Sequence, residues 1–198
     1  MVSSPLTLNR CGAGQNGFAS ASVQDLADAL GLLKGSVYYY IDSKEDLLYR
    51  LMEEIHDGID ELLREVQEDT ELTAAEALKL YVKKTIAFSA RNLKKITIYY
   101  HEIDQLSPAH RREILRRRQD HEDYVTELIR QQQEHGDVAA DLDASLLSKF
   151  VFGSIVWMYR WYKPGRGLSV EQIADTCARF VHGGIITPSP APNASDGR

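Results

Sequence analysis

Between Ser22 and Lys44 the chain reads Ser-Val-Gln-Asp-Leu-Ala-Asp-Ala-Leu-Gly-Leu-Leu-Lys-Gly-Ser-Val-Tyr-Tyr-Tyr-Ile-Asp-Ser-Lys. No other segment so narrows what the chain can fold into. Val23, Leu26, Ala27 and Leu30 recur at helical spacing and form one apolar face. Ser22 is a good N-cap, and Asp25, at the third helical position, lies near the positive end of the helix dipole. Gly31 is placed to end this helix in the left-handed conformation, and Leu32 fills the turn. Gly35-Ser36 opens a second short helix that carries Val37 through Ile41. Asp42 or Ser43 then caps a longer helix in which Leu47, Leu48, Leu51 and Ile55 repeat at helical spacing. The pattern is two short helices around a tight turn, followed by the start of a third.

Downstream the helical reading continues. Thr73 to Leu93 places Ala77, Leu80, Tyr81, Ile86 and Phe88 on its apolar positions, and Lys95 to Leu106 ends at Ser107-Pro108. Ala109 to His135 is long and charged, with Gly136 as its stop. Leu142 to Tyr162 is apolar nearly all round, which predicts burial on several sides. Lys163-Pro164-Gly165 ends it, and Ser169 caps a last helix from Val170 to about Ile186. The first 21 residues are poor in helical signal, with three glycines between Cys11 and Gly17. The tail over residues 188–198, rich in Pro, Ser, Ala, Asn and Gly, is expected to be disordered. No strand pattern competes, so the expected class is all-α.

Charge limits the partners. The net charge of −6 gives no whole-molecule basic footprint, so any nucleic-acid contact must come from a local surface. No apolar run approaches the ~20 residues of a membrane span, and no membrane partner is expected. The N-terminus has no charged segment followed by an apolar one, so no secretion signal is expected. Cys11 and Cys177 lie far apart without metal-type spacing, which fits a reducing cytoplasm.

The residues around the turn have the chemistry of a helix-turn-helix, in which one helix crosses the DNA backbone and the next enters the major groove. Ser22, Lys34, Ser36, Tyr38, Tyr40 and Lys44 suit phosphate contact through hydroxyl, ammonium and helix-terminal N–H groups. Leu33, Gly35 and Tyr39 are better placed to face base edges. An enzyme is the rival class, and its signatures are missing. His56, His101, His110, His121, His135 and His182 show no His-Glu-x-x-His spacing, so no metal site is expected. There is no Gly-x-Ser-x-Gly, phosphate-binding glycine loop or Cys/His nucleophile arrangement, and no catalytic residue or cofactor is assigned.

The run from Ser22 to Leu47 resembles the N-terminal domain of TetR-family transcriptional regulators. The resemblance rests on Ser22, Asp25-Leu26-Ala27, Gly31-Leu32, Lys34-Gly35-Ser36, Val37-Tyr38-Tyr39-Tyr40-Ile41 and Ser43-Lys44-Glu45-Asp46-Leu47. Tyr40 stands where the family usually has His, and Ile41 where it has Phe. Gly17-Phe18 matches a family pair, whereas Leu6 to Asn16 does not resemble the family's first helix. Without that helix Val37 and Leu47 would lose a packing partner. The resemblance implies a DNA-binding domain over residues 1–50, with its motif at about 23–42, and a sensor and dimerisation domain over 51–187. It further implies a homodimer on a palindromic double-stranded operator, with recognition helices about 34–36 Å apart. Leu142–Tyr162 and Val170–Ile186 have the apolar content for an intersubunit four-helix bundle.

The stretch Trp157-Met158-Tyr159-Arg160-Trp161-Tyr162-Lys163-Pro164-Gly165, with Leu168-Ser169, Ile98-Tyr99 and Asp141-Leu142-Asp143, is similar to one subgroup of that family. This is the acyl-CoA-responsive subgroup that includes repressors of cholesterol-ring degradation. The expected ligand residues are Phe88, Tyr99, Phe150, Phe152 and Trp157 along an apolar cavity, with Arg160 and Trp161 beside them. Arg111, Arg112, Arg116, Arg117 and Arg118 are candidates for coenzyme A phosphates, or else a solvated helix face balanced by Glu113 and Asp120. The reading is therefore a repressor released by an acyl-CoA thioester. Two alternatives stay open. One is a multidrug sensor that attracts cationic aromatics through Glu102 or Asp104, and the other a dimeric relative that no longer binds DNA.

Overall fold

A computed structural model describes residues 23, 26, 27, 31 and 43–185. Among these residues the secondary structure is helical throughout, apart from turns and one isolated bridge residue, Val138. Val23, Leu26 and Ala27 are helical, and Gly31 has φ +70°, the left-handed conformation expected of a glycine that ends a helix.

Helix α1 is Lys44–Glu68. Its cap is Ser43, whose hydroxyl oxygen accepts a 3.1 Å bond from the Asp46 N–H, with Glu45 and Asp46 supplying negative charge to the first turn. Helix α2, Ala74–Arg91, starts with a capping box between Thr73 and Glu76. Helix α3, Leu93–Glu102, continues into a 3-10 turn at Ile103–Gln105. Helix α4, Pro108–Glu134, is capped by Ser107 and has Pro108 in its first turn, where the missing N–H has no intrahelical partner to lose. Ser107-Pro108 thus starts one helix as well as ending another. Gly136, at φ +82°, closes α4.

The expected helix from Leu142 to Tyr162 is divided. Helix α5 is Ala144–Val156 and a short α6 is Met158–Trp161. At the joint the Arg160 N–H donates to Trp157 O at 3.1 Å, a tightened three-residue turn that re-aims the chain beyond it. Met158 is buried as a result while Trp157 faces solvent. Helix α7, Val170–Ile185, begins at Ser169, which exchanges bonds with Gln172 in a second capping arrangement. Burial of α5 on several sides is not what the single chain shows. Val151 and Ile155 are buried, but Leu146 and Phe150 are exposed.

The core has two parts. The larger joins α2, α4, α5 and α7 through Leu78, Tyr81, Val82, Val125, Ile129, Val151, Ile155 and Val181. The smaller joins Leu26 and Ala27 to Leu47, Leu48, Leu51, Met52, Ile96 and Ile114. Leu47 is fully buried. Val37 lies outside the described residues. Phe88 packs against both clusters. The expected division at 50/51 falls inside α1, so one continuous helix runs from the smaller core cluster into the larger one.

Candidate functional site

Helices α1, α2, α3, α4, α5 and α6 converge on a cavity of about 60 Å³. Its apolar wall is Ile55, Ile59, Ile96, Phe152, Ile155 and Val156. The rest of the lining carries polar groups: His56, Tyr99 and Tyr100, then Tyr81, His121 and Arg118, with Thr85, Ser89 and Tyr159. Liquid water occupies about 30 Å³ per molecule, so this geometry has room for about two waters. An acyl group enters only if lining side chains move. Within the lining Tyr159 stacks on Tyr100 with ring centroids 5.3 Å apart, and Arg160 lies over the Tyr159 ring.

A polar relay backs the cavity. Arg117 pairs with Asp60 and, at 2.7 Å, with Asp57. Asp60 Oδ1 lies 2.8 Å from His121 Nε2, and His121 Nδ1 lies 3.4 Å from the Tyr81 hydroxyl. The His56 and His121 rings are stacked with centroids 6.1 Å apart. His56 Nε2 lies 3.2 Å from the Tyr99 hydroxyl, while His56 Nδ1 is buried with no hydrogen-bond partner.

The environment keeps these groups neutral at physiological pH, except for the ion pair behind them. Burial, and then the charges of Arg117 and His121, push the His56 imidazole down to about 4. Burial also lowers His121, against the pull of Asp60. Asp60 is raised by burial, but the bond and charge of Arg117, with His121, bring it below the usual carboxylate range. Burial raises Tyr81 and Tyr99, and pushes Tyr100 up to about 12. The cavity thus presents hydrogen-bonding imidazoles and phenols, one guanidinium from Arg118 and no carboxylate.

Of the expected ligand residues, the cavity brings together Tyr99 and Phe152. Phe88 is half-buried outside it, its ring seated on Gly58. Phe150, Trp157 and Trp161 do not line it. Their side chains leave the bundle and are 64%, 62% and 49% exposed. A helix that is apolar on every face cannot reveal from sequence which face turns inward. Phe150 instead shares an external groove with Leu147, Val151, Phe180, Val181 and Gly184. Trp161 borders a shallow depression with Lys163, Arg166 and Leu168. Arg160 does not line the cavity either; it lies over the ring of the lining residue Tyr159, its guanidinium 3.3 Å from His101 Nε2.

The arginine run does not act as one fork. Arg111 pairs with Asp104 and Arg116 with Asp120, both at 2.9 Å. Arg117 turns inward, Arg118 reaches the cavity while paired with Glu122, and Arg112 is exposed. His56, His121, Tyr81, Tyr100 and Tyr159 are lining residues that sequence reasoning missed. The one available signal was a histidine among the apolar repeats of α1.

Of the expected DNA contacts, Ser22, Leu33, Lys34, Gly35, Ser36, Tyr38, Tyr39 and Tyr40 lie outside the described residues. Lys44 is the first residue of α1. Next to it Glu45 crosses to the start of α4, where it accepts a bond from the Ser107 N–H and meets His110 Nδ1 at 2.7 Å. Ligand-type atoms of Glu45, Asp46 and His110 lie within 4.8 Å of one another, but each makes hydrogen bonds inside the protein. No helix among the described residues is long and apolar enough to cross a membrane.

Comparison with known proteins places this architecture. Residues 71–185 match the tetracyclin repressor-like C-terminal domain, and residues 13–51 match bacterial regulatory proteins of the tetR family. The HTH-type transcriptional repressor KstR2 of Mycolicibacterium smegmatis is 30% identical over 173 residues, which cover 85% of this chain and 82% of that protein. The solved ketosteroid transcriptional regulator KstR2 of Mycobacterium tuberculosis superposes with a TM-score of 0.74 at 26% identity, covering 85% of this chain and 86% of the other. AibR, solved in complex with isovaleryl coenzyme A and operator DNA, gives a TM-score of 0.70 at 29% identity, covering 82% and 87%. These relatives are regulators and not enzymes, and the chain belongs to the TetR family of bacterial transcriptional regulators.

Proposed function

We propose that this protein is a dimeric repressor, released from a palindromic operator when an acyl-CoA thioester occupies the cavity behind α1. The observation that carries this reading is the shared use of α1 and α4. Both line the cavity, through His56 and through Arg118 and His121, and both meet again at the Glu45–Ser107 bond beside the helix-turn-helix. A ligand that separates α1 from α4 in the cavity thereby acts on the joint from which the DNA-binding segment departs. By linkage, operator DNA must weaken effector binding by the factor by which the effector weakens DNA binding.

In this reading Lys34, Ser36, Tyr38, Tyr40, Ser22 and Lys44 contact phosphates, and Leu33, Gly35 and Tyr39 face base edges. Residues 1–50 read DNA, residues 51–187 sense and dimerise, and residues 188–198 form a tail. The acyl part occupies the cavity against Tyr99 and Phe152. Arg118 on the cavity lining and Arg160 over the ring of Tyr159 are suited to the thioester and phosphate end. The exposed groove of Phe150 and Phe180 on α5 and α7 is the dimer seam, since an apolar patch of this kind in a regulator of this family needs a cover. Similarity to KstR2 repressors and to AibR, solved with isovaleryl coenzyme A and operator DNA, supports the acyl-CoA class. Cationic drugs are the weaker reading. Asp104 is exposed and paired with Arg111, and neither it nor Glu102 lines the cavity.

Gel shifts test this. The full-length protein is titrated onto the DNA upstream of its own gene, then challenged with a series of CoA thioesters, free acids and cationic dyes. Release by thioesters alone is the expected result. Release by a dye with none by any thioester overturns the proposal.

A further inference from the structure

The cavity's polar wall is unequal. His121 has a neighbour at each nitrogen, the Tyr81 hydroxyl 3.4 Å from Nδ1 and the Asp60 carboxylate 2.8 Å from Nε2, though the latter is not aligned as a hydrogen bond, and Arg117 anchors Asp60 from outside. His56 has only its Nε2 engaged, by Tyr99. Its other nitrogen, on a side chain that is 4% exposed and lines the cavity, has no hydrogen-bond partner. Buried ring nitrogens are ordinarily hydrogen-bonded, so one left open on the lining of a cavity marks a place for a partner from outside the chain once the lining moves to admit it.

We infer that His56 Nδ1 reads an oxygen on the buried part of the effector, so that the regulator answers to oxygen-bearing acyl groups, ketone or hydroxyl, over plain hydrocarbon ones of the same size. The inference rests on the acyl-CoA reading above and adds the chemistry of the acyl part. Either tautomer finds an oxygen partner: an Nδ1–H donates to a ketone or hydroxyl oxygen, and a bare Nδ1 accepts from a hydroxyl. Ile55, Ile59, Ile96 and Phe152 cover the hydrocarbon portion and keep water from competing. A hydrocarbon acyl group would leave the nitrogen unpaired in a dry site, and this asymmetry gives hydrogen-bonding pockets their selectivity.

Isothermal titration of the full-length protein with cyclohexanecarbonyl-CoA and its 4-hydroxy and 4-oxo analogues decides the matter. The oxygenated thioesters are expected to bind about tenfold more tightly, the scale of one buried hydrogen bond. His56→Phe removes the preference while still binding the hydrocarbon thioester. His56→Asn, whose amide occupies the region of Nδ1, retains a preference, whereas His56→Gln, whose amide occupies the region of Nε2, does not. Equal binding of the three thioesters by the native protein overturns the inference and leaves the acyl-CoA reading standing. A preference that survives His56→Phe also overturns it. Binding of the free acids with none of the thioesters defeats the CoA reading instead, and the same comparison among the acids then judges His56.

Discussion

The backbone N–H of Ser107 donates a 2.9 Å hydrogen bond to Glu45 Oε1, across 62 residues of sequence. The same oxygen meets His110 Nδ1, and the His110 ring stacks on Tyr49 with centroids 3.8 Å apart. Burial raises the Glu45 carboxyl, but the Ser107 and His110 bonds more than offset this and hold it below the usual range. One side chain thus fastens the first turn of α1 to the first turn of α4.

Removing that fastening is expected to loosen the joint. Glu45→Ala should destabilise the protein by about 1 kcal/mol, the net value of a partly exposed charged hydrogen bond, and should weaken operator binding without altering effector affinity in the absence of DNA. Urea unfolding and gel shifts check this. An unchanged midpoint with unchanged operator affinity would sink it.

His56 sets a pH dependence. Its imidazole falls from an ordinary 6.5 to about 4 in the folded protein, so the unfolded chain binds the proton first. The resulting stability is fully present above pH 6.5 and is lost as the pH drops toward about 4. The loss amounts to up to roughly 3 kcal/mol, at about 1.4 kcal/mol per pH unit of difference. Melting curves of native protein and His56→Gln from pH 7.5 to 4.5 should converge as the pH falls. Parallel curves would rule this out.

Gly58 makes room for a ring. A Cβ at this position would come within 2.7 Å of Phe88 Cζ, and Phe88 packs against both cores. Gly58→Ala is expected to cost about 1–3 kcal/mol despite its higher helix propensity, because the ring has packed neighbours on both sides. Chemical denaturation measures it, and a stabilised variant would contradict the packing argument.

Phe180 is 67% exposed and shares its groove with Phe150. If this groove is the dimer seam, Phe180→Glu should yield a folded monomer in sedimentation velocity at micromolar concentration. A dimer of native stability would place the interface elsewhere.

Contacts at the turn should separate by kind. Lys34→Ala is expected to weaken binding to all DNA sequences and to reduce the salt dependence by about one counterion. Tyr39→Ala should mainly reduce discrimination between the operator and unrelated DNA. Fluorescence anisotropy at several salt concentrations distinguishes the two, and equal loss of discrimination in both variants would refute the assignment.

Sequence alone determined the all-helical class, the family, the cap residue Ser169, a cap at either Asp42 or Ser43, and the stops at Gly31 and Gly136. These features are local, since a cap or a left-handed glycine acts within one helical turn. Which aromatic residues meet in the cavity was decided only by the tertiary structure. Phe150 and Phe152 are two residues apart, yet one turns to solvent and the other into the cavity. Periodicity could not tell them apart in a helix that is apolar on all sides. The break at Trp157, the inward turn of Arg117 and the joining of His56 to Tyr99 depend likewise on the packing of helices distant in sequence. A histidine's neighbours across 43 residues are set by helix packing and have no signature in the spacing along one chain.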